Sequence, residues 1–327
     1  MNRRPVVFSI AAGLCGGVFA QTPAGAMARV GVLSFGSPPG GPNPDPTGRL
    51  RQALRELGYV EGRNLVLEFR YADGRPERLP ALADELLRAR VDVIVAGGPA
   101  TIEAARHATK TVPIVFIGSA DPVRQGWVQS LARPGGNLTG MTVSFPEMGG
   151  KLLEVLKEAR PGLLRVAVLG APAELGSPLA GQAWVPAAQS QGFELQWLEV
   201  KEATEIEPAL LRAAQARAQG LMAIATNLVV SNRQRIAELA IAHRLPTISQ
   251  FSLMTQAGLL TSYGANLEAL GARAALYVDK ILRGTPPGDL PIERPSEFEL
   301  VINRRTEAAL GIALPKAMLL RADRLIE

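Results

Sequence analysis

From residue 29 onward, short runs of β-branched and apolar residues alternate with longer runs in which leucine and alanine recur every three or four positions. The run VDVIVAGG (91–98) is continuously apolar, which is typical of a strand buried on both faces of a parallel sheet. In PERLPALADELLRAR (76–90), Leu79, Leu82 and Leu86 recur at helical spacing, with charged residues opposite them. The alternation predicts an α/β fold in which helices cover both faces of parallel sheets.

The strand and helix pattern occurs twice, which predicts two α/β halves of similar construction without a residue-level repeat. Strands are expected at 29–35, 64–72, 91–98 and 113–118 in the first half, and at 165–172, 193–200, 221–226, 245–250 and 258–264 in the second. A long helix (266–284) then leads into TPPGDLPIERP, a flexible linker or an ordered surface connection. The strand FELVIN (298–303) and the short helical segments after it favour the ordered connection.

The first 20 residues have the pattern of a secretory signal peptide. Arg3 and Arg4 precede an apolar run that ends at Ala20, and the small residues Val18 and Ala20 allow cleavage before Gln21. The run is short for a membrane span, which needs about 20 apolar residues; an uncleaved anchor is the alternative. A second possible cut lies as late as residue 28. We therefore expect a protein that is secreted across the inner membrane into the periplasm.

Cys15, the only cysteine, lies inside this segment. Leu14 precedes it where a lipoprotein signal requires a small residue, so we do not expect a lipid anchor. Cleavage after Ala20 would leave a chain with no disulfide, zinc-thiolate site or thiol nucleophile.

Charge and composition exclude few classes of function. The formal net charge is +5, aromatic residues make up 5% of the chain, and no run of five Lys or Arg occurs. This indicates a mildly basic surface, and we expect no nucleic-acid partner.

Motifs for catalysis, metals and nucleotides are missing from the sequence. His107 and His243 fall late in predicted helices, where a solvent-facing role is expected. The spacings of zinc hydrolases, the G-x-S-x-G elbow, the phosphate-binding loop and the G-x-G-x-x-G fingerprint do not occur. We therefore expect no cofactor, no metal and no enzymatic activity.

The loops at the carboxyl ends of the predicted strands carry the candidate chemistry, because ligands of open α/β sheets bind there. These loops are small, polar and nearly uncharged, which suits a neutral or zwitterionic organic molecule. The candidate ligand-binding residues are Ser34, Phe35, Gly98, Thr101, Ser119, Asp121, Thr226, Asn227, Gln250, Phe251 and Tyr263.

Two of these loops have a second interpretation. Gly98 and Pro99 suit a free helix N-terminus that holds a carboxylate or phosphate, or a plain tight turn. Asp121 before Pro122 suits a helix cap, and its sharper alternative is contact with a ligand ammonium. NLT (137–139) matches a glycosylation sequon, although turn chemistry explains Asn137 equally well.

A family resemblance covers nearly the whole mature chain. The run DPVRQGWVQSLARPGGNLTGMTV (121–143) resembles a stretch of the extracytoplasmic substrate-binding proteins of ABC importers, the group that includes tryptophan- and tyrosine-binding proteins. LRELGYVEGRNLVLEFRYADG (54–74) and FELVINRRTEAALGIALP (298–315) fit the same pattern. The loops 36–48, 170–181 and 226–230 match it less well, so the ligand of the aromatic amino-acid binders is not carried over.

The resemblance implies a periplasmic-binding-protein fold of type I. Two doubly wound parallel-sheet lobes are joined by three crossover strands, and the ligand lies between them. The crossings would be NLTGMTV (137–143), a segment near SYGANL (262–267) and a segment near RPSEFEL (294–300). Lobe 1 would comprise 29–140 plus 265–293, and lobe 2 would comprise 141–264 plus 294–327.

The resemblance also implies a small-molecule ligand and delivery to the permease and ATPase subunits of an importer, and we expect a monomer. The alternatives are a ligand-sensing module for a membrane kinase or receptor, or an enzyme on the same fold.

Overall fold

The computed structural model describes residues 27–38, 48–119, 121–143, 145–170 and 178–327. The predicted signal peptide, 1–20, lies outside the described residues. None of the described helices combines the length and the apolar composition needed to cross a bilayer.

The first sheet has five parallel strands in the order β2-β1-β3-β4-β5. The strands are β1 (Ala28–Ser34), β2 (Leu65–Tyr71), β3 (Val93–Gly97), β4 (Ile114–Ser119) and β5 (Leu138–Thr142). The helices between them are α1 (Gly48–Glu56), α2 (Leu79–Arg88) and α3 (Pro99–Ala108). Every residue of β3 is buried, as its continuous apolar run predicts.

The second sheet has seven strands in the order β12-β11-β10-β9-β8-β6-β7, and only β10 and β11 are antiparallel. The strands are β6 (Arg165–Gly170), β7 (Glu194–Glu199), β8 (Gly220–Ala223), β9 (Thr247–Ser249), β10 (Thr261–Ala265), β11 (Phe298–Asn303) and β12 (Arg324–Ile326). The remaining helices are α4 (Phe145–Ala159), α5 (Pro178–Ser190), α6 (Ile206–Gln215), α7 (Asn227–Ser231), α8 (Arg233–Ala242), α9 (Ser252–Gln256), α10 (Leu267–Leu282), α11 (Arg304–Leu310) and α12 (Lys316–Arg321).

Both sheets repeat one doubly wound order. Strands β2-β1-β3-β4-β5 correspond to β7-β6-β8-β9-β10. In each sheet the direction in which successive strands are added changes once, between β1 and β3 in the first sheet and between β6 and β8 in the second. The carboxyl ends of the strands beside such a reversal are where open α/β sheets bind ligands. We call each sheet with its packed helices a lobe.

Helix α10 belongs to the first lobe although it follows ten strands in the sequence. Its buried residues Ala274, Tyr277 and Val278 join one hydrophobic cluster with the strands of the first sheet and with Leu54 of α1. The buried Tyr277 ring orients its hydroxyl, which donates a hydrogen bond of 2.5 Å to the carbonyl of Pro291. The chain therefore passes between the lobes three times: after β5, after β10 and before β11.

In the third passage, Glu293 bonds to β5 and to α10. Its backbone N–H donates to the carbonyl of Gly140 at 3.0 Å, and its carbonyl accepts from the N–H of Thr142 at 2.9 Å. Its carboxylate accepts two hydrogen bonds of 2.6 Å from Arg273 of α10. The Arg273 guanidinium holds the pKa of Glu293 below its usual value.

The proline-rich connection before β11 is ordered, which confirms that interpretation of the sequence. It contains a short 3-10 turn at Pro287–Asp289, and its Leu290 and Ile292 are buried. Ile292 donates its backbone N–H to the carbonyl of Leu131 at 2.7 Å.

The helix predicted to start at Asp121 and Pro122 is absent, so that prediction was wrong. Residues 122–126 form turns instead, and Gly126 has a φ of 67°. This left-handed residue ends the helical path, because a right-handed helix requires negative φ throughout. The turn directs Trp127 onto Phe116 of β4, where the rings meet edge to face at 6.5 Å.

Candidate ligand-binding cleft

The two lobes approach each other where the switch points in the strand order of their sheets face one another. Gly98 follows β3 and Asn227 follows β8. A Cβ atom placed on Gly98 would lie 3.7 Å from Oδ1 of Asn227. Gly98 has a φ of 90°, a conformation that L side chains rarely adopt, and this lets the loop approach closely. Gly98 and Asn227, both predicted from the sequence, are thus brought together.

The N-terminus of α3 opens at this contact. None of the described side chains caps it, and the first turn contains no acidic residue. The N–H groups of a first helical turn lack partners within the helix, and the helix dipole favours an anion there. Thr101 does not supply a free hydroxyl, because the side chain is buried and donates to the carbonyls of Gly97 and Gly98 at 2.8 Å each.

A second feature of the cleft, the hinge recess, lies where the three passages between the lobes come together. It is lined by Val143, Met148, Gln250, Phe251, Gly264, Ala265, Pro295 and Phe298. Among the described residues that line it, none has an ionisable side chain. Phe251 is buried and also belongs to the hydrophobic cluster of the first lobe, so it bridges the two lobes. The recess is an apolar floor to the cleft.

Gln250 is the polar exception in this floor. Its Oε1 accepts a hydrogen bond from the backbone N–H of Ala225 at 2.9 Å. Its Nε2 is buried and has no hydrogen-bond partner among the described residues. A buried donor without a partner costs about 1–3 kcal/mol, so such a group is a candidate for contact with a ligand.

The backbone of Gln250 is held by close packing against Gly264. A Cβ atom on Gly264 would lie only 1.9 Å from the carbonyl oxygen of Gln250. No L side chain fits this approach, so glycine is required at position 264 for the loop after β9 to take this path.

The other candidates in the first lobe bond mainly to their own loops. The Ser34 hydroxyl is buried and accepts from the N–H of Gly36 at 3.1 Å. Asp121 accepts from the N–H of Arg124 at 2.9 Å, which makes it the cap of a turn. Phe35 packs against the cluster beneath α2 and α3. The side chain of Ser119 lies outside the described residues.

The remaining candidates in the second lobe have structural contacts as well. Thr226 caps α7, because its hydroxyl accepts from the N–H of Val229 at 3.3 Å. Tyr263 stacks on Phe298 at a centroid distance of 6.0 Å and packs on the sheet face covered by α4. Tyr263 therefore supports a ring of the recess and is not itself one of its lining residues.

Sequence reasoning missed five side chains of the recess: Val143, Met148, Ala265, Pro295 and Phe298. All five lie at or beside the passages between the lobes. The resemblance placed crossover strands near these positions, and that signal could have led to them. Among the described residues, no group of three or more His, Cys, Asp or Glu is arranged to hold a metal ion.

Comparisons with known proteins identify the family and the fold of the chain. The family model of ABC transporter substrate binding proteins matches residues 45–326. The tyrosine-binding protein of Clostridioides difficile (strain R20291) is 27% identical over 261 residues, which cover 80% of this chain and 75% of that protein.

Two solved structures share the fold over most of their length. A conserved domain protein from Vibrio cholerae O1 biovar El Tor str. N16961 is 27% identical with a TM-score of 0.83, covering 91% of this chain and 99% of that one. The ABC domain in complex with L-Trp from Streptococcus pneumonia is 22% identical with a TM-score of 0.83, covering 92% and 100%.

These matches confirm the predicted α/β fold of the type I periplasmic-binding-protein class, with one antiparallel strand pair added to the second sheet. The matched segment includes every described element from α1 to β12. The chain belongs to the family of ABC transporter substrate-binding proteins.

Proposed function

We propose that this protein is the extracytoplasmic solute-binding component of an ABC importer and binds an amino-acid-like zwitterion with an apolar side chain. The observation that carries the proposal is the hinge recess, an apolar floor between the lobes with one buried, unpartnered amide donor at Gln250. A tyrosine-binding relative and a structural neighbour solved with L-Trp support this class of ligand.

In this proposal the two features of the cleft hold opposite ends of the solute. The carboxylate lies at the N-terminus of α3, where the free N–H groups and the helix dipole favour an anion. The apolar side chain lies against Phe251 and Phe298 of the recess. No described residue of the recess is charged, so this end excludes charged side chains through the cost of removing them from water.

The recess is narrow in this closed arrangement, so it must widen to admit an apolar side chain. A side chain that is fully buried there would supply energy of the order that an importer needs. Burial of an aromatic side chain removes about 150–250 Å² from water. At about 25 cal/mol per Å² this contributes about 4–6 kcal/mol. Micromolar affinity requires about 8 kcal/mol, and hydrogen bonds to the carboxylate and at Gln250 supply the difference.

The solute also selects the closed arrangement of the lobes. Gly98 and Asn227 already approach each other across the cleft, and Phe251 packs in the core of the first lobe. Entry of a solute requires the lobes to separate, and closure follows because the solute contacts both of them. The closed form is then delivered to the permease and ATPase subunits.

The same proposal includes secretion and the lobe bounds expected from the sequence. Lobe 1 spans 29–140 plus 265–293 and lobe 2 spans 141–264 plus 294–327, so the bounds fall within the crossing strands β5 and β10, each of which ends one or two residues inside the other lobe. The mature protein is a monomer in the periplasm. Ala28 is the first residue of β1, and its N–H donates to the carbonyl of Asn64 at 3.0 Å. A cut after residue 20 preserves this strand, whereas a cut after residue 28 removes its first residue.

Isothermal titration calorimetry on the mature protein tests the function. The panel contains aromatic, aliphatic and charged L-amino acids, together with the D-enantiomers of any that bind. We expect micromolar or tighter binding of an aromatic or large apolar L-amino acid, no binding of aspartate or lysine, and recovery of the bound solute unchanged by mass spectrometry. Absence of binding across the panel contradicts the proposed class of ligand, and chemical conversion of the solute favours an enzyme.

A further inference from the structure

We propose that Gln250 determines specificity: it makes the cleft select solutes that carry a hydrogen-bond acceptor at the far end of their apolar moiety. The inference rests on the proposed function, because it takes the hinge recess as the place where that moiety is bound. It goes further by naming the chemistry that separates one aromatic amino acid from another at this site.

The orientation of the Gln250 amide follows from its neighbours. The backbone N–H of Ala225 can only donate, so the atom that faces it at 2.9 Å must be the oxygen Oε1. The Ser249 hydroxyl lies 3.4 Å from the same oxygen and donates to the carbonyl of Ala223 at 2.7 Å. The amide is therefore not free to flip, and its donor group Nε2 takes the remaining side.

The donor side of Gln250 has no acceptor within the described residues. The other lining side chains of the recess are hydrocarbon or aromatic, except for the weakly accepting thioether of Met148. Gln250 is also 3% exposed, so bulk water does not satisfy its N–H groups. A solute that enters the recess can supply the missing acceptor.

The unpaired donor predicts an order of binding affinity among aromatic side chains. A phenol, ether or carbonyl oxygen at the end of the ring accepts from Nε2. A plain phenyl ring leaves the donor buried and unpaired. An indole brings an N–H group, which donates and cannot accept. A site that is built to hydrogen-bond a solute oxygen strongly rejects the analogue that lacks it.

The decisive comparison uses solutes of equal size. L-Tyrosine and 4-methyl-L-phenylalanine differ by a hydroxyl in place of a methyl group, and 4-methoxy-L-phenylalanine has an oxygen that only accepts. L-Phenylalanine and L-tryptophan complete the set. We expect calorimetry to give L-tyrosine a Kd at least about tenfold lower than that of 4-methyl-L-phenylalanine. The methoxy compound is expected to bind more tightly than the methyl compound.

A matched pair of variants assigns the preference to this side chain. Gln250→Met replaces the amide by an unbranched apolar chain, and Gln256→Met makes the same change six residues later at an exposed position of α9. We expect Gln250→Met to bring the two Kd values within about twofold of each other, and Gln256→Met to keep the wild-type ratio. Circular dichroism confirms that both variants are folded; if Gln250→Met is not, the wild-type solute series decides alone.

The possible outcomes distinguish failure of the inference from failure of the proposed function. Equal affinity for L-tyrosine and 4-methyl-L-phenylalanine in the wild type, or a preference that survives in Gln250→Met, overturns the inference and leaves the proposed function standing. If none of the five solutes binds while another apolar amino acid does, the inference is likewise overturned. If no amino acid of any class binds, the proposed function fails and the inference fails with it.

Discussion

Each lobe forms one wall of the cleft, and the two walls differ in the hydrogen-bond partners of their polar side chains. In the first lobe, Ser34, Thr101 and Asp121 bond to backbone groups of their own loops. In the second lobe, Gln250 keeps an amide donor buried and unpartnered among the described residues. Polar side chains that look alike in the sequence thus have different uses: the first wall fixes the shape of its loops, and the second wall has chemistry left for a solute. Substitutions on each side of the cleft test that contrast.

The largest effect is expected at Gly264, behind the wall of the second lobe. Gly264→Ala places a Cβ atom 1.9 Å from the carbonyl oxygen of Gln250, so the loop after β9 must move. We expect the free energy of unfolding to fall by about 3 kcal/mol and solute affinity to fall with it. Urea denaturation and calorimetry measure the two effects. Gly136→Ala is the control, because a Cβ atom there meets nothing within 4 Å.

Thr101→Val tests the wall of the first lobe. The substitution removes the hydroxyl that bonds to the carbonyls of Gly97 and Gly98 and keeps the shape of the side chain. Loss of a buried hydrogen bond lowers the free energy of unfolding by about 1 kcal/mol. We expect the Kd for the solute to stay within about twofold. A tenfold loss of affinity without loss of stability would show that Thr101 contacts the solute.

The ion pair between Arg273 of α10 and Glu293 of the third passage predicts a pH dependence. Because Arg273 lowers the pKa of Glu293, the pair stabilises the fold above the carboxylate's unfolded pKa of about 4.3. That contribution is lost as the pH falls through the lower folded value. Both side chains are partly exposed, so we expect Arg273→Met to cost about 0.5–1 kcal/mol at neutral pH and less at pH 3.

Thermal unfolding of Arg273→Met and wild type at several pH values measures this difference. Arg235→Met, which breaks a more exposed pair with Glu207, serves as the control. A destabilisation of Arg273→Met that is the same at pH 3 and pH 7 would assign the effect to packing of the side chain.

The smallest effect is expected at Asp121. In Asp121→Asn the amide oxygen can still accept from the N–H of Arg124, so the turn is preserved. If Asp121 is only a cap, solute affinity changes by less than about twofold. A loss of tenfold or more for amino acids, but not for analogues lacking the ammonium group, would establish the contact with a ligand ammonium and move part of the recognition to the first wall.

The fold was readable in the sequence because its strands are continuous apolar runs and its longer helices have one apolar face. FELVIN coincides with β11, residue for residue. Several short elements were not predicted. Helices α7 and α9 have five residues each, and β12 is an exposed strand of three residues.

Only part of the candidate site could be predicted from the sequence. Sequence reasoning could place Gln250 at the end of a strand, but not show that Ala225 would occupy its oxygen and leave its nitrogen unpaired. These two residues are 25 positions apart, and their contact exists only after β8 and β9 lie side by side. Tyr263 is the opposite case. It lies in a segment predicted to bind the ligand, but its ring stacks on Phe298.

The late position of α10 has a consequence for biogenesis. The core of the first lobe needs Tyr277 and Val278, so it stays incomplete until nearly the whole chain has been synthesised. The first lobe, whose strands are synthesised first, therefore cannot be completed before α10 is available. Until then the strands β1–β5 lack this covering helix, and their apolar surface is exposed to non-native contacts. Truncation before residue 267 should leave both lobes unfinished, since β11 of the second sheet is also lost.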